Sequence, residues 1–166
     1  MAESTRVIVG VSGSRRDAAV LQRAAAEAAR RGAELVPVIA WTPVGGEPAY
    51  RAHPCPPLAA AWQQAARTRL DKAFGEAFGG YPAGLPISPM VIRGAAGPAL
   101  LETADRPDDL LVVGAGRRGP LQRLFFARVT RYCLSRARCT VLTVPADARP
   151  TTHRPRGGRA ELAMAA

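Results

Sequence analysis

The sequence predicts an α/β domain built on a doubly wound parallel sheet. Short Val, Leu and Ile runs alternate along the chain with longer Ala-rich segments of helical spacing. Apolar residues make up 48% of the sequence and aromatic residues 5%, which suits Ala-rich helices on aliphatic strands better than an all-β sandwich. The third observation is the stretch Asp109–Pro145. It reads as a buried-type strand, Leu110–Val113, then a turn with Gly114, Gly116 and Gly119, an Arg-studded helix, and a last strand, Thr140–Val144. Strand, turn, helix and strand in that order form a βαβ unit. Its glycine turn then lies at the carboxyl end of a parallel strand and feeds a helix, where backbone N–H groups hold phosphate most readily.

The remaining elements follow in order. Val7–Val11 is the first strand, closed by Gly13 and Ser14, and Ser14 stands to Asp17 at the spacing of a capping box. The helix that follows runs to Arg31, turns Leu21, Ala25 and Ala28 inward, and ends at Gly32. The second strand spans Leu35–Trp41. Pro37 within it has no N–H to give a ladder, so a bulge or a missing bond is expected there. Thr42–Pro57, with Gly45, Gly46 and several prolines, reads as a long loop entering a helix that has Pro57 near its first turn. That helix carries Trp62, Ala66, Leu70, Ala73, Phe74 and Ala77 at helical spacing and stops at Gly79 and Gly80. Tyr81–Pro89 is a connection, Met90–Ile92 a short edge strand, and Gly97–Pro98 opens a helix reaching about Asp105. The total is five strands alternating with four helices, joined by right-handed crossovers. Residues 1–145 form the domain. Residues 146–166 carry Pro, Gly and Arg without a core pattern and read as a basic, mobile tail.

Composition narrows the functional classes. At 166 residues the chain makes one domain with a sizeable core. No apolar run approaches the roughly 20 residues of a membrane span. The start, MAESTRVIVGV, enters a strand directly and lacks the regions of a secretory signal. A cytoplasmic protein with no membrane partner is expected. Cys55, Cys133 and Cys139 are odd in number and have no metal-like spacing, so reduced thiols and no metal are expected, with Cys55 the exposed one. The net charge is +10, and Lys72 is the single Lys. Between Leu111 and Pro145 there are seven Arg and no acid: Arg117, Arg118, Arg123, Arg128, Arg131, Arg136 and Arg138. Such an excess attracts anions, whether nucleotide, nucleic acid or an acidic partner. Aromatic interleaving is thin, and Phe125, Val129 and Cys133 fall on one helical stripe suited to core or dimer contacts. Nucleic acid is therefore not the expected partner.

Two motifs fail on inspection. Gly114, Gly116 and Gly119 spell the glycine pattern of dinucleotide sites, but no acid follows about 20 residues on and the pattern sits in the last βα unit, so NAD and FAD are not expected. Gly10 to Ser14 resembles a nucleophile elbow but has Ser14 where the second glycine belongs, and His53 and His153 fall in a loop and in the tail. The acids nearest the glycine turn, Asp108 and Asp109, precede the strand. No catalytic residue and no enzyme activity beyond a very slow ATPase are expected.

The pieces VIVGVSGS, AAAEAARRGAELVPVIAW, VIRGAAGPALLETA, DLLVVGAGRRG and CTVLTVP occur in that order over Arg6–Pro145. In order and spacing they resemble universal stress proteins of the UspA type. The resemblance implies a Rossmann-like sheet of the adenine nucleotide alpha hydrolase kind, with five parallel strands in order 3-2-1-4-5 and helices on both faces. It implies a homodimer through the last strand, Thr140, Val141, Leu142, Thr143 and Val144. Nucleotide-binding members hold ATP with the pattern Gly, two residues, Gly, nine residues, Gly and Ser or Thr. Gly114 matches the first glycine, Arg117 stands at the second, and Ala127 and Arg128 stand at the final pair. Ser12, after Val11, replaces the Asp that contacts the nucleoside; Val38 matches the apolar wall, and Val129 and Thr130 match the helix start. Together with Gly116 and Gly119 of the turn, these residues are the implied ATP-binding set.

The departures have physical consequences. Glycine lets backbone approach phosphate, and a long side chain at position 117 obstructs that approach. Arg128 cannot cap a helix, and a cation at a helix N-terminus is disfavoured by a few tenths to about 1 kcal/mol unless an anion neutralises it. Two outcomes stay open: Arg117 and Arg128 replace backbone contacts with charge-assisted ones, or they fill the pocket and abolish binding. The expected function is a dimeric stress-response or regulatory binding module with weakened or altered ATP binding. The alternatives are a nucleotide-sensing switch using Arg117 and Arg128 for phosphate, and a nucleic-acid or acidic-partner binder.

Overall fold

The computed structural model describes residues 5–14, 16–115 and 120–145, and for 120–127 the backbone alone. Its elements are β1 (Arg6–Val11), α1 (Asp17–Arg31), β2 (Glu34–Trp41), α2 (Gly46–Ala52), α3 (Pro56–Phe78), β3 (Met90–Arg93), α4 (Ala96–Thr103), β4 (Leu110–Ala115), α5 (Pro120–Arg136) and β5 (Thr140–Pro145). The five strands form one sheet in the order β3-β2-β1-β4-β5, and all its pairings are parallel. This is the doubly wound order that the resemblance implied.

A parallel sheet wrapped by crossover helices must bury both faces, and the strand residues here alternate accordingly. Val7, Val9, Leu35, Ile39, Leu110 and Val112 pack in one cluster with Leu21 of α1 and with Leu70 and Phe74 of α3. Ile8, Val36, Val38, Leu111 and Val113 pack in a second cluster with Leu100 of α4 and Cys133 of α5. At the amino ends of the strands the Arg6 guanidinium clamps Asp109 through two hydrogen bonds, 3.0 and 2.7 Å, which ties β1 to β4 across 103 residues of sequence.

Several expectations change. Thr42–Pro57 is not a plain loop, because α2 forms within it, so the described chain has five helices rather than four. Gly45 and Gly46, both at positive φ, turn the chain into α2, and none of its residues is buried. Arg93 at the end of β3 holds α2 in place: its guanidinium donates two hydrogen bonds to Glu47 (2.8 and 2.9 Å) and lies over the Tyr50 ring at 4.4 Å. The next helix starts at Pro56, one residue before Pro57, and α4 ends at Thr103 rather than near Asp105.

Pro37 sits within β2, a strand flanked on both sides, opposite Val9 of β1. Leu35 exchanges hydrogen bonds with Pro86 and Ser88, so its polar groups point to the β3 side. Pro37, two residues on, faces that same side. The β2–β3 ladder starts at Val38↔Met90. The isolated Leu35↔Ile87 bridge and the ladder from Val38↔Met90 keep one register, and the pairing lapses between them at Pro37, the missing bond expected there.

Candidate functional site

The sheet changes winding direction between β1 and β4, and parallel sheets open a crevice beyond their carboxyl ends at such a point. A cavity of about 250 Å³ lies there. Its walls come from the ends of β1 (Gly10, Val11), β2 (Val38, Ala40) and β4 (Val113, Gly114, Ala115). Ala96 and Leu100 of α4 and Val129 and Thr130 of α5 close it on one side. Two glycines bring the walls together: a Cβ at Gly10 would lie 3.1 Å from Leu100 Cδ1, and one at Gly114 would lie 3.2 Å from Val20 Cγ2. The Thr130 hydroxyl donates to the Gly114 carbonyl at 3.0 Å and fixes α5 against the end of β4.

The polar rim is the β1–α1 turn, which contributes Ser12, Ser14, Arg16 and Asp17. Gly13 takes φ +81°, and the chain curls so that successive N–H groups converge. The Asp17 carboxylate fills that concavity. Its Oδ2 accepts from the N–H groups of Ser12 (3.1 Å), Gly13 (2.6 Å) and Ser14 (2.8 Å), and its Oδ1 lies 2.9 Å from the Ser12 hydroxyl. Asp17 is 5% exposed. Burial pushes its carboxyl above the usual aspartate range, against the hydrogen bonds from Ser12, Ser14 and Gly13 that favour the ionised form.

Only half of the expected capping box forms. The Asp17 carboxylate does reach the Ser14 N–H, but the Asp17 N–H bonds the Ser14 carbonyl (3.0 Å) rather than its hydroxyl, and α1 has Arg16 at its N-cap position with no side-chain cap.

Of the residues expected at a nucleotide site, Val11, Ser12, Val38, Gly114, Val129 and Thr130 line this cavity. Arg128 does not. It is exposed and lines a separate surface hollow with Arg131, Tyr132, Ser135 and Arg136, so the expectation that its guanidinium holds or blocks a phosphate in the crevice is corrected. The reason is the length of α5. The helix begins at Pro120, so position 128 lies well inside it, Val129 and Thr130 do not start it, and no open first-turn N–H is available there. At 100° per residue, a helix that turns Val129 and Thr130 inward turns Arg128 out. Gly116, Arg117 and Gly119 lie outside the described residues, as does the tail, 146–166.

Asp17 and Arg16 also line the site, though neither was expected there. The signal was present, since an acid three residues past the Gly13–Ser14 corner is placed to collect that corner's N–H groups. The remaining candidates fall where the chain's packing puts them. Cys133 is buried, Cys139 half-buried and Cys55 exposed. Burial pushes the Cys133 thiol up to about 11. Among the described residues no group of three or more His, Cys, Asp or Glu could hold a metal ion, and no helix is long and apolar enough to cross a membrane.

A sequence profile described as the universal stress protein family matches residues 3–145, most of the chain and all of the sheet. The chain belongs to the universal stress protein family. Among solved structures it is similar to a universal stress protein in complex with cAMP, at 27% identity over 86% of this chain and 97% of that one, with a TM-score of 0.54. The universal stress protein UspA from Lactobacillus plantarum is similar in fold, with 21% identity, coverage of 87% and 99%, and a TM-score of 0.64. So is the universal stress protein from Archaeoglobus fulgidus, with 20% identity, coverage of 85% and 98%, and a TM-score of 0.53. No curated protein sequence matches the chain. In this universal stress protein the crevice beyond β1 and β4 is apolar on its walls and polar on one rim.

Proposed function

We propose that this universal stress protein is a non-enzymatic binding module that holds an adenine nucleotide, with weakened or altered ATP binding. The observation that carries the reading is the cavity itself: Val11, Val38, Val113 and Val129 make an apolar wall, and Ser12, Ser14 and Arg16 stand on one rim. A flat apolar base suits that wall, and its sugar hydroxyls suit the rim. The similar universal stress protein solved with cAMP supports an adenine ring as the buried group.

Binding of an open triphosphate is weakened for two reasons. Among the described lining residues Arg16 is the one cation, and Asp17, the one anion, offsets it. The backbone at 127–128, where ATP-binding members place Gly and Ser, lies inside α5. Its N–H groups belong to the helix rather than to a ligand. The absence of turnover follows from Asp17 as well. Its oxygens accept three N–H groups and face the Ser12 hydroxyl, which leaves little capacity to take a proton from water or substrate.

The protein acts as a homodimer through β5 in this reading. That strand pairs with β4 on one side and stands at the end of the sheet, with Val141 and Leu142 half-buried. A strand edge of this kind leaves N–H and C=O groups that a second copy can pair with. A stress-response or regulatory role then rests on nucleotide occupancy being passed to a partner through that dimer.

The experiment is calorimetry of the full chain with adenosine, AMP, cyclic AMP and ATP, repeated with Ala40→Phe to fill the cavity. The reading predicts heat from adenosine and cyclic AMP, weaker heat from ATP, and loss of all of it in Ala40→Phe. No heat with any of the four at millimolar concentration would remove the nucleotide reading. Sedimentation of the same preparation reports the dimer.

A further inference from the structure

Three successive N–H groups of the β1–α1 turn, those of Ser12, Gly13 and Ser14, point at one place, and Asp17 Oδ2 occupies it at 2.6 to 3.1 Å. A concavity of convergent N–H groups is an anion site in its own right. Here the chain fills it from within. The occupant is no distant side chain that swings away, since Asp17 is the first residue of α1 and is held by the helix that follows. It also lines the ligand cavity, so its charge is felt there.

We propose that Asp17 is a specificity residue: it serves as a built-in anion that closes the phosphate-binding capacity of the β1–α1 turn. This rests on the nucleotide reading of the cavity and gives it a direction. A ligand phosphate is denied the β1 end by the lack of free N–H donors and by like charge. One side-chain donor remains on the described rim, the Arg16 guanidinium, because the Ser12 hydroxyl gives its one hydrogen to Asp17, the Ser12–Ser14 contact at 3.0 Å then takes the Ser14 hydrogen, and the Thr130 hydroxyl is bonded to Gly114. A ribose hydroxyl or a ring nitrogen can use it without bringing negative charge to Asp17. The site therefore selects ligands that present sugar or base, not phosphate, to this turn.

The test replaces Asp17 and asks whether the vacated donors accept an external anion. Inorganic phosphate, AMP and adenosine are titrated into the wild-type chain and into Asp17→Ser, with the amide resonances of Ser12, Gly13 and Ser14 followed by NMR. In Asp17→Ser, millimolar phosphate shifts those amides, and the ratio of AMP to adenosine affinity rises at least about tenfold, the worth of one charge-assisted hydrogen bond. In the wild type phosphate leaves the amides unmoved. Asp17→Asn keeps an oxygen for the N–H groups and removes the charge, so it retains the fold if the Ser variant loses it, and its AMP to adenosine ratio moves in the same direction. A wild-type turn that responds to phosphate, or an unchanged ratio in both variants, overturns the assignment. A merely structural role for Asp17 would change stability and leave the ratio alone. If adenosine binds neither protein yet phosphate selects Asp17→Ser, the closed anion site stands and the nucleotide reading falls.

Discussion

The clamp between Arg6 and Asp109 gives the sharpest stability prediction. The Asp109 side chain is 1% exposed and that of Arg6 19%, and the two meet through Nε–Oδ1 at 3.0 Å and Nη2–Oδ2 at 2.7 Å. Arg6→Leu would leave the carboxylate buried with the Arg106 N–H, at 3.1 Å, as its one described partner. Breaking a buried ion pair costs about 3–5 kcal/mol. The remaining N–H and the partial exposure of Arg6 bring the expectation down to about 2–3 kcal/mol. That is a large fraction of the roughly 5–15 kcal/mol a domain has in total. Urea unfolding followed by Trp41 and Trp62 fluorescence measures the loss as a lower midpoint at constant slope. The double variant Arg6→Leu/Asp109→Leu removes the orphaned charge and should recover most of it, leaving a deficit near 1 kcal/mol for the lost N–H partner. Cyclic AMP affinity of the folded fraction should be unchanged, because the clamp lies at the opposite end of the strands from the cavity. The reasoning fails if Arg6→Leu loses less than about 1 kcal/mol, the worth of an exposed pair, or if the double variant is as unstable as the single ones combined.

Other tests are shorter. Gly97→Ala would place a Cβ 2.7 Å from Tyr132 Cδ1. The gain in helix propensity is about 1 kcal/mol, but displacing a packed ring costs about 1–3 kcal/mol, so the melting temperature should fall; a rise would show that Tyr132 moves freely. Arg93 holds the Glu47 carboxyl below the usual glutamate range. A depressed acid contributes stability above its unfolded value and loses it as pH falls through its folded value, so the hold on α2 should weaken as the pH falls below the usual glutamate range. Tyr50 packs edge-on against Trp62 at 6.3 Å, so the release reads out as a fluorescence change, and Glu47→Gln should abolish its pH dependence. Cys55 should react with a thiol reagent at pH 8 far faster than Cys133, whose burial keeps it protonated; equal rates would contradict the packing of α5 on the sheet.

How much of this was legible beforehand varied with the physics of each element. The strands were readable because a parallel sheet buried on both faces demands continuous aliphatic runs, and Val7–Val11, Leu35–Trp41 and Leu110–Val113 are such runs. The sheet order came with the family resemblance. What failed was local. α2 was invisible because its composition, GEPAYRA, carries no apolar stripe and is flanked by Pro and Gly; a salt bridge and stacking on Arg93 hold it, and those contacts come from β3, 46 residues away. Arg128 was misplaced because motif spacing set the start of α5 near 129, whereas the helix begins at Pro120. Asp17 was seen as a helix cap, which is a local role, and its place in the cavity wall depends on β2 and β4 closing around the turn. The site was thus legible where it is made of strand ends and illegible where it depends on how a turn closes.

Chemical-shift mapping of the full chain with cyclic AMP probes the adenine-nucleotide crevice most directly. The account predicts saturable shifts concentrated on Gly10, Ser12, Val38, Gly114 and Thr130, with Arg128, Arg131 and Arg136 on the far side of α5 unmoved. Shifts confined to those arginines, with the residues between β1 and β4 silent, would contradict it.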